Sequence, residues 1–270
     1  MAIKKKRPKR KRRKRVNEAA PSAASFGVAL APGLLAAAPP DAGGGRLKIL
    51  VSSAVYGIEE LLEQVYALLT GFGYEVWMSH KGTLPVFPNT TAFDNCLTAV
   101  ERCDLFLAII TTQYGSGVVD DGSSISHQEL LKAIELGKPR WILAHAQVPF
   151  LRAIFQKLGC RSEKDRKAML GKLGYDSEKE MKDLKRRQAS VIDDFRVIDV
   201  YDAAIRHDLQ VYQDRKGNWV QKFGSDADAN LFVAAQFSRY GDVENFVREQ
   251  FADEPGVRAR AEVAGSKEKR

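Results

Sequence analysis

The chain has 270 residues, with 42 Lys or Arg against 34 Asp or Glu and a formal net charge of +8. Eleven of the basic residues lie between Lys4 and Arg15, and without them 31 basic residues face 34 acidic ones, a balance of about −3. The excess belongs to the tail, which argues against a basic nucleic-acid-binding body. Any polyanion contact is confined to Lys4, Lys5, Lys6, Arg7, Lys9, Arg10, Lys11, Arg12, Arg13, Lys14 and Arg15.

A hydrophobic fraction of 44% is ordinary for a globular protein. No apolar run approaches the roughly 18 residues of a membrane span, so no transmembrane segment is expected and the chain reads as soluble. Cys96, Cys103 and Cys160 form no C-x-x-C pair and no disulfide framework, so no metal site is expected. Free thiols suit a reducing compartment, the cytoplasm, or the nucleus if the basic run is an address in a eukaryote.

Residues 1–45 combine the basic run with an Ala/Pro/Gly-rich stretch from Ala19 to Gly45. Neither has the apolar periodicity of a core, and disorder is predicted for both. The run reads as a nuclear address, a polyanion-binding arm, a membrane-surface anchor or a solvated extension. Phe26–Ala38 loosely imitates a secretory core, but Pro32, two glycines and the heavy preceding charge work against that reading.

From Leu47 the pattern changes. Leu47–Ser52 (LKILVS) is a short apolar run, the mark of a buried strand. Tyr56–Phe72 carries apolar residues at helical spacing and stops at Gly71 and Gly73. Tyr74–Met78 is a second strand, Ser79–Thr91 a loop, and Ala92–Arg102 a helix with Phe93, Leu97 and Val100 inward. Asp104–Thr111 (DLFLAIIT) is the most strand-like segment. A polar loop from Thr112 to Ser124, a helix over Ile125–Leu136 closed by Gly137, Lys138 and Pro139, and a fourth strand at Trp141–His145 follow. Strands alternating with helices predict an α/β parallel sheet covered on both faces, with ligands bound beyond the carboxyl ends of the strands.

Three runs carry a resemblance: Ile49–Ser53 (ILVSS), Cys103–Ser116 (CDLFLAIITTQYGS) and Ser124–Leu130 (SISHQEL). Together they resemble domain-of-unknown-function family 4062, over about residues 46–146. That family is similar in fold to TIR domains and nucleoside 2-deoxyribosyltransferases. The resemblance implies a flavodoxin-like domain related to enzymes that cleave N-glycosidic bonds. Glu129–Pro139 reads E-x-x-x-A-x-x-x-G-K-P and is similar to a deoxyribosyltransferase segment whose glutamate is the nucleophile at the sugar; Glu129 is the matching position. The Asp121, Gly122, Ser123 loop stands farther from the glutamate than in those enzymes, which puts the pocket shape and the substrate in question.

Cleaving an N-glycosidic bond builds positive charge on the sugar, which a nearby carboxylate stabilises or attacks. Glu129 must be ionised for this, and the predicted first turn of a helix favours the anion. Ser52, Ser53, Tyr56, Tyr114, Ser116 and Ser126 can supply hydroxyls to a nucleoside or nucleotide, and the Gly115 amide allows close approach. No cofactor is required, NAD or a nucleotide being at most a substrate. The rival reading is structural: Ser126–Glu129 (SHQE) spells a capping box, in which Glu129 bonds back to the Ser126 amide. His127, two residues away, points elsewhere on the helix, and Asp104 caps or orients its strand. Cys96 and Cys103 read as buried apolar residues.

Residues 147–252 read as a mainly helical extension that can complete the sheet. Phe150–Leu158 continues helically, Arg161–Arg187 is a charged helix pair broken at Gly171–Tyr175, and Ala227–Phe237 and Val243–Phe251 are amphipathic helices. Phe232, Phe237, Phe246 and Phe251 are expected in the core. Val191–Ile205 fits either a fifth strand, at Arg196–Asp199, or a helix; Lys216–Phe223 (KGNWVQKF) holds a turn and two aromatics. Residues 253–270 are predicted disordered. Two functions fit: an N-glycosidase or glycosyltransferase working through Glu129, or a non-catalytic interaction module that self-associates or docks partners, in a stress or antiphage setting if the TIR resemblance extends to function.

Overall fold

A computed structural model describes residues 45–115, 122–172, 192, 194–210 and 215–251. The basic run, the Ala/Pro/Gly-rich stretch, Ser116 and Asp121, residues 173–187 of the charged pair and the C-terminal tail lie outside the described residues. In chain order the described elements are β1 (Lys48–Ser53), α1 (Glu59–Gly71), β2 (Glu75–Trp77), α2 (Ala92–Arg102), β3 (Leu105–Ile110), α3 (Ile125–Glu135), β4 (Arg140–His145), α4 (Gln147–Lys157), α5 (Glu163–Lys172), α6 (Val197–Ala204), β5 (Val220–Phe223), α7 (Asp226–Phe237) and α8 (Tyr240–Gln250).

All five strands pair in parallel, in the order β2-β1-β3-β4-β5. This is the doubly wound, flavodoxin-like arrangement that the alternation of strands and helices predicts. β3 is central, and each of its six residues is buried. Its side chains alternate between two cores, as the period of a strand demands. Leu105, Leu107 and Ile109 join one core with α1, α7 and α8. Phe106, Ala108 and Ile110 join the other with α2, α3, α4 and α6. Asp104, just before β3, accepts from the Lys48 amide at 2.8 Å and so ties the starts of β1 and β3 together.

Two elements were not fixed by the pattern. Of the two alternatives for Val191–Ile205, residues 197–204 take the helix. Val197, Ile198, Val200, Tyr201 and Ala204 are buried at helical spacing, and this face overrides the β-propensity of the branched residues. Its polar side carries Asp199 and Asp202, which hold the buried Arg166 of α5. The fifth strand lies instead in the segment read as a turn with two aromatics, at Val220–Phe223. It is an edge strand whose Gln221 and Lys222 are at most half-buried, so no apolar run marks it. Its Phe223 carbonyl accepts from the Ala146 amide at 2.8 Å.

Of the four C-terminal phenylalanines, Phe237 is fully buried and Phe232 and Phe251 are partly so. Phe246 remains 43% exposed, with edge contacts to the Trp141 and Phe251 rings, which corrects its assignment to the core.

Candidate functional site

β1 and β3 lie side by side, but the chain leaves β1 toward β2 and returns to β3 from the other side. At such a reversal the helices on opposite faces diverge, and a crevice opens beyond the strand ends. Here the crevice is a cavity of about 430 Å³. Ser52, Ser53 and the following Ala54–Tyr56 form one wall, Gly115 and the start of α3 another, and Ala92 and Cys96 of α2 a third.

The carboxyl group of Glu129 faces this cavity and is 6% exposed. The Ser52 hydroxyl, from the end of β1, donates to Glu129 Oε2. The Cys96 thiol makes a second hydrogen bond to the same carboxylate. Strand β1 and helices α2 and α3 thus all converge on one acidic group.

The expected capping box is not formed. The cap of α3 is Ser124, whose hydroxyl accepts from the His127 amide at 3.3 Å. The helix begins two residues earlier than a Ser126 cap requires, so Glu129 is its fifth residue and turns toward β1. That far in, the macrodipole gives little to an anion, because its effect fades beyond the first turn. Burial dominates and raises Glu129 from the ordinary 4.5 to about 7, against the bonds from Ser52 and Cys96, which pull it down. The expectation of a fully ionised, dipole-stabilised carboxylate is corrected accordingly: near neutral pH the group is divided between its two forms. Cys96 is driven the other way from reactivity, to about 12, by burial and then by the neighbouring carboxylate. It serves as a thiol donor, not a thiolate.

Ser52, Ser53, Tyr56, Gly115, Ser126 and Glu129 all line the cavity. Ser53 already donates to the carbonyls of Ala54 or Ile109, each at 2.8 Å, so its proton serves the backbone. Tyr56 is 63% exposed at the rim. Gly115 has φ +97°, a left-handed conformation open to glycine at little cost. Tyr114 does not join them. It is buried behind the wall, its hydroxyl accepting from the Ser124 amide at 3.2 Å and paired with His127 Nδ1 at 3.0 Å. It braces the start of α3 and lines a separate crevice of about 20 Å³.

Two cavity residues, and one that lies behind its wall, carried no sequence signal. Cys96 sits at helical spacing like any core residue, and Ala92, one turn earlier, does the same. Arg196 stacks over the Tyr114 ring at 4.3 Å and donates to the Gly122 carbonyl. It links the α6 region to the wall of the cavity across 74 residues of sequence, and no local pattern announces it.

The double anchoring of Glu129 has a measurable consequence. Ser52→Ala removes the hydroxyl that stabilises the anion, so the Glu129 titration is expected to move upward from about 7. Carboxyl-carbon NMR of glutamate-labelled protein reads this directly; an unmoved or lowered midpoint would show that the Ser52 bond does not favour the charged form.

No helix among the described residues is long and apolar enough to cross a membrane. No curated protein matches the chain. The model of the family described as domain of unknown function, DUF4062, matches residues 48–252, from the first residue of β1 to beyond the end of α8. A match over that much of the sequence, carried on a five-stranded sheet with a lined cavity at its switch point, places the chain in the DUF4062 family.

Proposed function

We propose that this protein binds a nucleoside or nucleotide in the cavity at the β1/β3 ends and cleaves its N-glycosidic bond through Glu129. One observation carries the reading. A buried, hydrogen-bonded carboxylate with a midpoint near 7 faces a ligand-sized cavity where parallel sheets bind their ligands. The similarity of the Glu129–Pro139 segment to the nucleophile segment of deoxyribosyltransferases supports it, as does the TIR-like resemblance.

The chemistry follows from the geometry. Ionised Glu129 attacks the anomeric carbon or stabilises its developing charge. The C–N bond breaks and its electron pair leaves with the base; the base of a neutral nucleoside takes a proton from solvent, whereas the cationic nicotinamide of NAD leaves neutral without one. Water, or a second base in a transferase, then adds to the anomeric carbon and frees Glu129. Ser52 and Cys96 orient the carboxylate without leaving it too stable to react. No cofactor enters this scheme; NAD and nucleotides are candidate substrates.

The test is chromatographic detection of free base after incubating the full chain, at low and high protein concentration, with nucleosides, nucleotides and NAD. Release is expected to rise with pH through about 7, because only the ionised carboxylate acts and ionisation is the form gained as pH increases. No release at any concentration or pH would leave a binding fold without chemistry and favour the interaction-module reading.

A further inference from the structure

The charge and size of the cavity go further than its position. On the reading just given, we infer that the site takes an unphosphorylated nucleoside and discriminates against nucleotides and dinucleotides such as NAD.

Phosphate sites are built from cations or from free helix amides. Among the described residues lining this cavity there is no Lys, Arg or His. The basic residues nearby in the chain are engaged elsewhere. Lys81 pairs with Glu63 and stands over the Tyr66 ring at 5.3 Å. Arg196 pairs with Asp194 and lies over Tyr114. His127 is bonded to Tyr114. His80 is pushed below its ordinary range by partial burial and then by Lys81, both of which disfavour its cation.

The positive end of the α3 dipole amounts to about half a charge, and Glu129 on the same helix offsets it. The His127 amide is already occupied by Ser124. What the walls do offer suits a nucleoside. Hydroxyls of Ser79, Tyr56 and Ser126 match sugar hydroxyls, while Val55, Ala92 and Ile125 give an apolar surface to a base. A cavity of about 430 Å³ is near the lower end of the ~300–1,000 Å³ typical of small-molecule sites, which suits one nucleoside better than two joined nucleotides.

The experiment is calorimetric titration of full-length Glu129→Gln with the common ribo- and deoxyribonucleosides, their 5′-monophosphates and NAD. The natural protein is titrated in parallel at low temperature. At least one nucleoside is expected to bind, and its monophosphate and NAD to bind at least tenfold more weakly. Ser79→Lys, which adds a cation at an exposed position of the wall, is expected to narrow that ratio severalfold. Equal or tighter binding of the monophosphate or NAD would overturn the discrimination while leaving a nucleotide-directed site intact. Binding of no compound by either protein would overturn both this inference and the reading on which it rests.

Discussion

Glu129→Gln is expected to lose base release by on the order of 1,000-fold or more while unfolding at a higher temperature than the natural protein at pH 8. The two effects have one cause. The folded state raises Glu129 from 4.5 to about 7 because the carboxylate is buried, so the folded protein holds a proton that the unfolded chain has already released. Stability is therefore undiminished below about 4.5, falls as pH rises from there to about 7, and is level above. At about 1.4 kcal/mol per pH unit, the loss is roughly 3 kcal/mol. Gln has the same shape, still accepts from Ser52 and carries no charge to bury. At pH 8 its melting temperature should lie roughly 6–12 °C above that of the natural protein, given ~2–4 °C per kcal/mol for a domain of this size. At pH 4.5 the two should nearly coincide. Calorimetry at both values checks this. A helix-capping glutamate behaves oppositely, since its replacement destabilises the fold. A lower melting temperature at pH 8 would assign Glu129 to structure and remove it from chemistry.

What could be read from the sequence depended on how local the deciding interaction is. β3 was legible because six consecutive apolar residues, bounded by polar ones and rich in branched side chains, match a central strand buried on both faces. The bounds of α2 were legible from Phe93, Leu97 and Val100 at helical spacing, but its inward face was not: Val100 is buried beside Asn95, Cys96 and Ala99, while Phe93 and Leu97 are only partly covered. Once the alternation gave a parallel sheet, the placement of a crevice at the strand ends followed from topology alone. The protonation of Glu129 was not legible. A choice between Ser124 and Ser126 as the cap shifts the helix start by two residues, and the two sequences are equally acceptable as starts. Burial by the fold then raises its titration, and the bonds that oppose the rise come from Ser52 and Cys96, 77 and 33 positions away. β5 was hidden for a related reason. An edge strand needs only one buried residue, here Phe223, and its partner β4 lies some 80 residues earlier.

Phe237→Ala is expected to cost about 3–5 kcal/mol, the range for deleting a fully buried aromatic side chain, whereas Leu231→Ala on the same helix should change stability by about 0.5 kcal/mol or less. Phe237 is wholly buried, and Leu231 is exposed. The Phe237 ring meets Tyr74 edge-on at 5.7 Å and Trp141 at 5.1 Å, and its carbonyl accepts from the Tyr74 hydroxyl at 3.2 Å. Tyr74 precedes β2, Trp141 is in β4, and the Tyr240 hydroxyl of α8 accepts from the Leu47 amide just ahead of β1 at 2.7 Å. The last two helices therefore cover the sheet face that carries Ile49, Val51, Leu107 and Ile109, the strands whose ends form the cavity. A chain ended at residue 146 would keep only α1 on that face, expose the part that α7 and α8 cover, and should lack a cooperative melting transition. Urea denaturation of the two variants and the shortened chain decides the matter. A loss under about 1 kcal/mol in Phe237→Ala, or cooperative unfolding of the shortened chain, would show that the sheet stands without its C-terminal cover. If the losses are as expected, Ser52 and Glu129 are held in register by residues more than 90 positions beyond them.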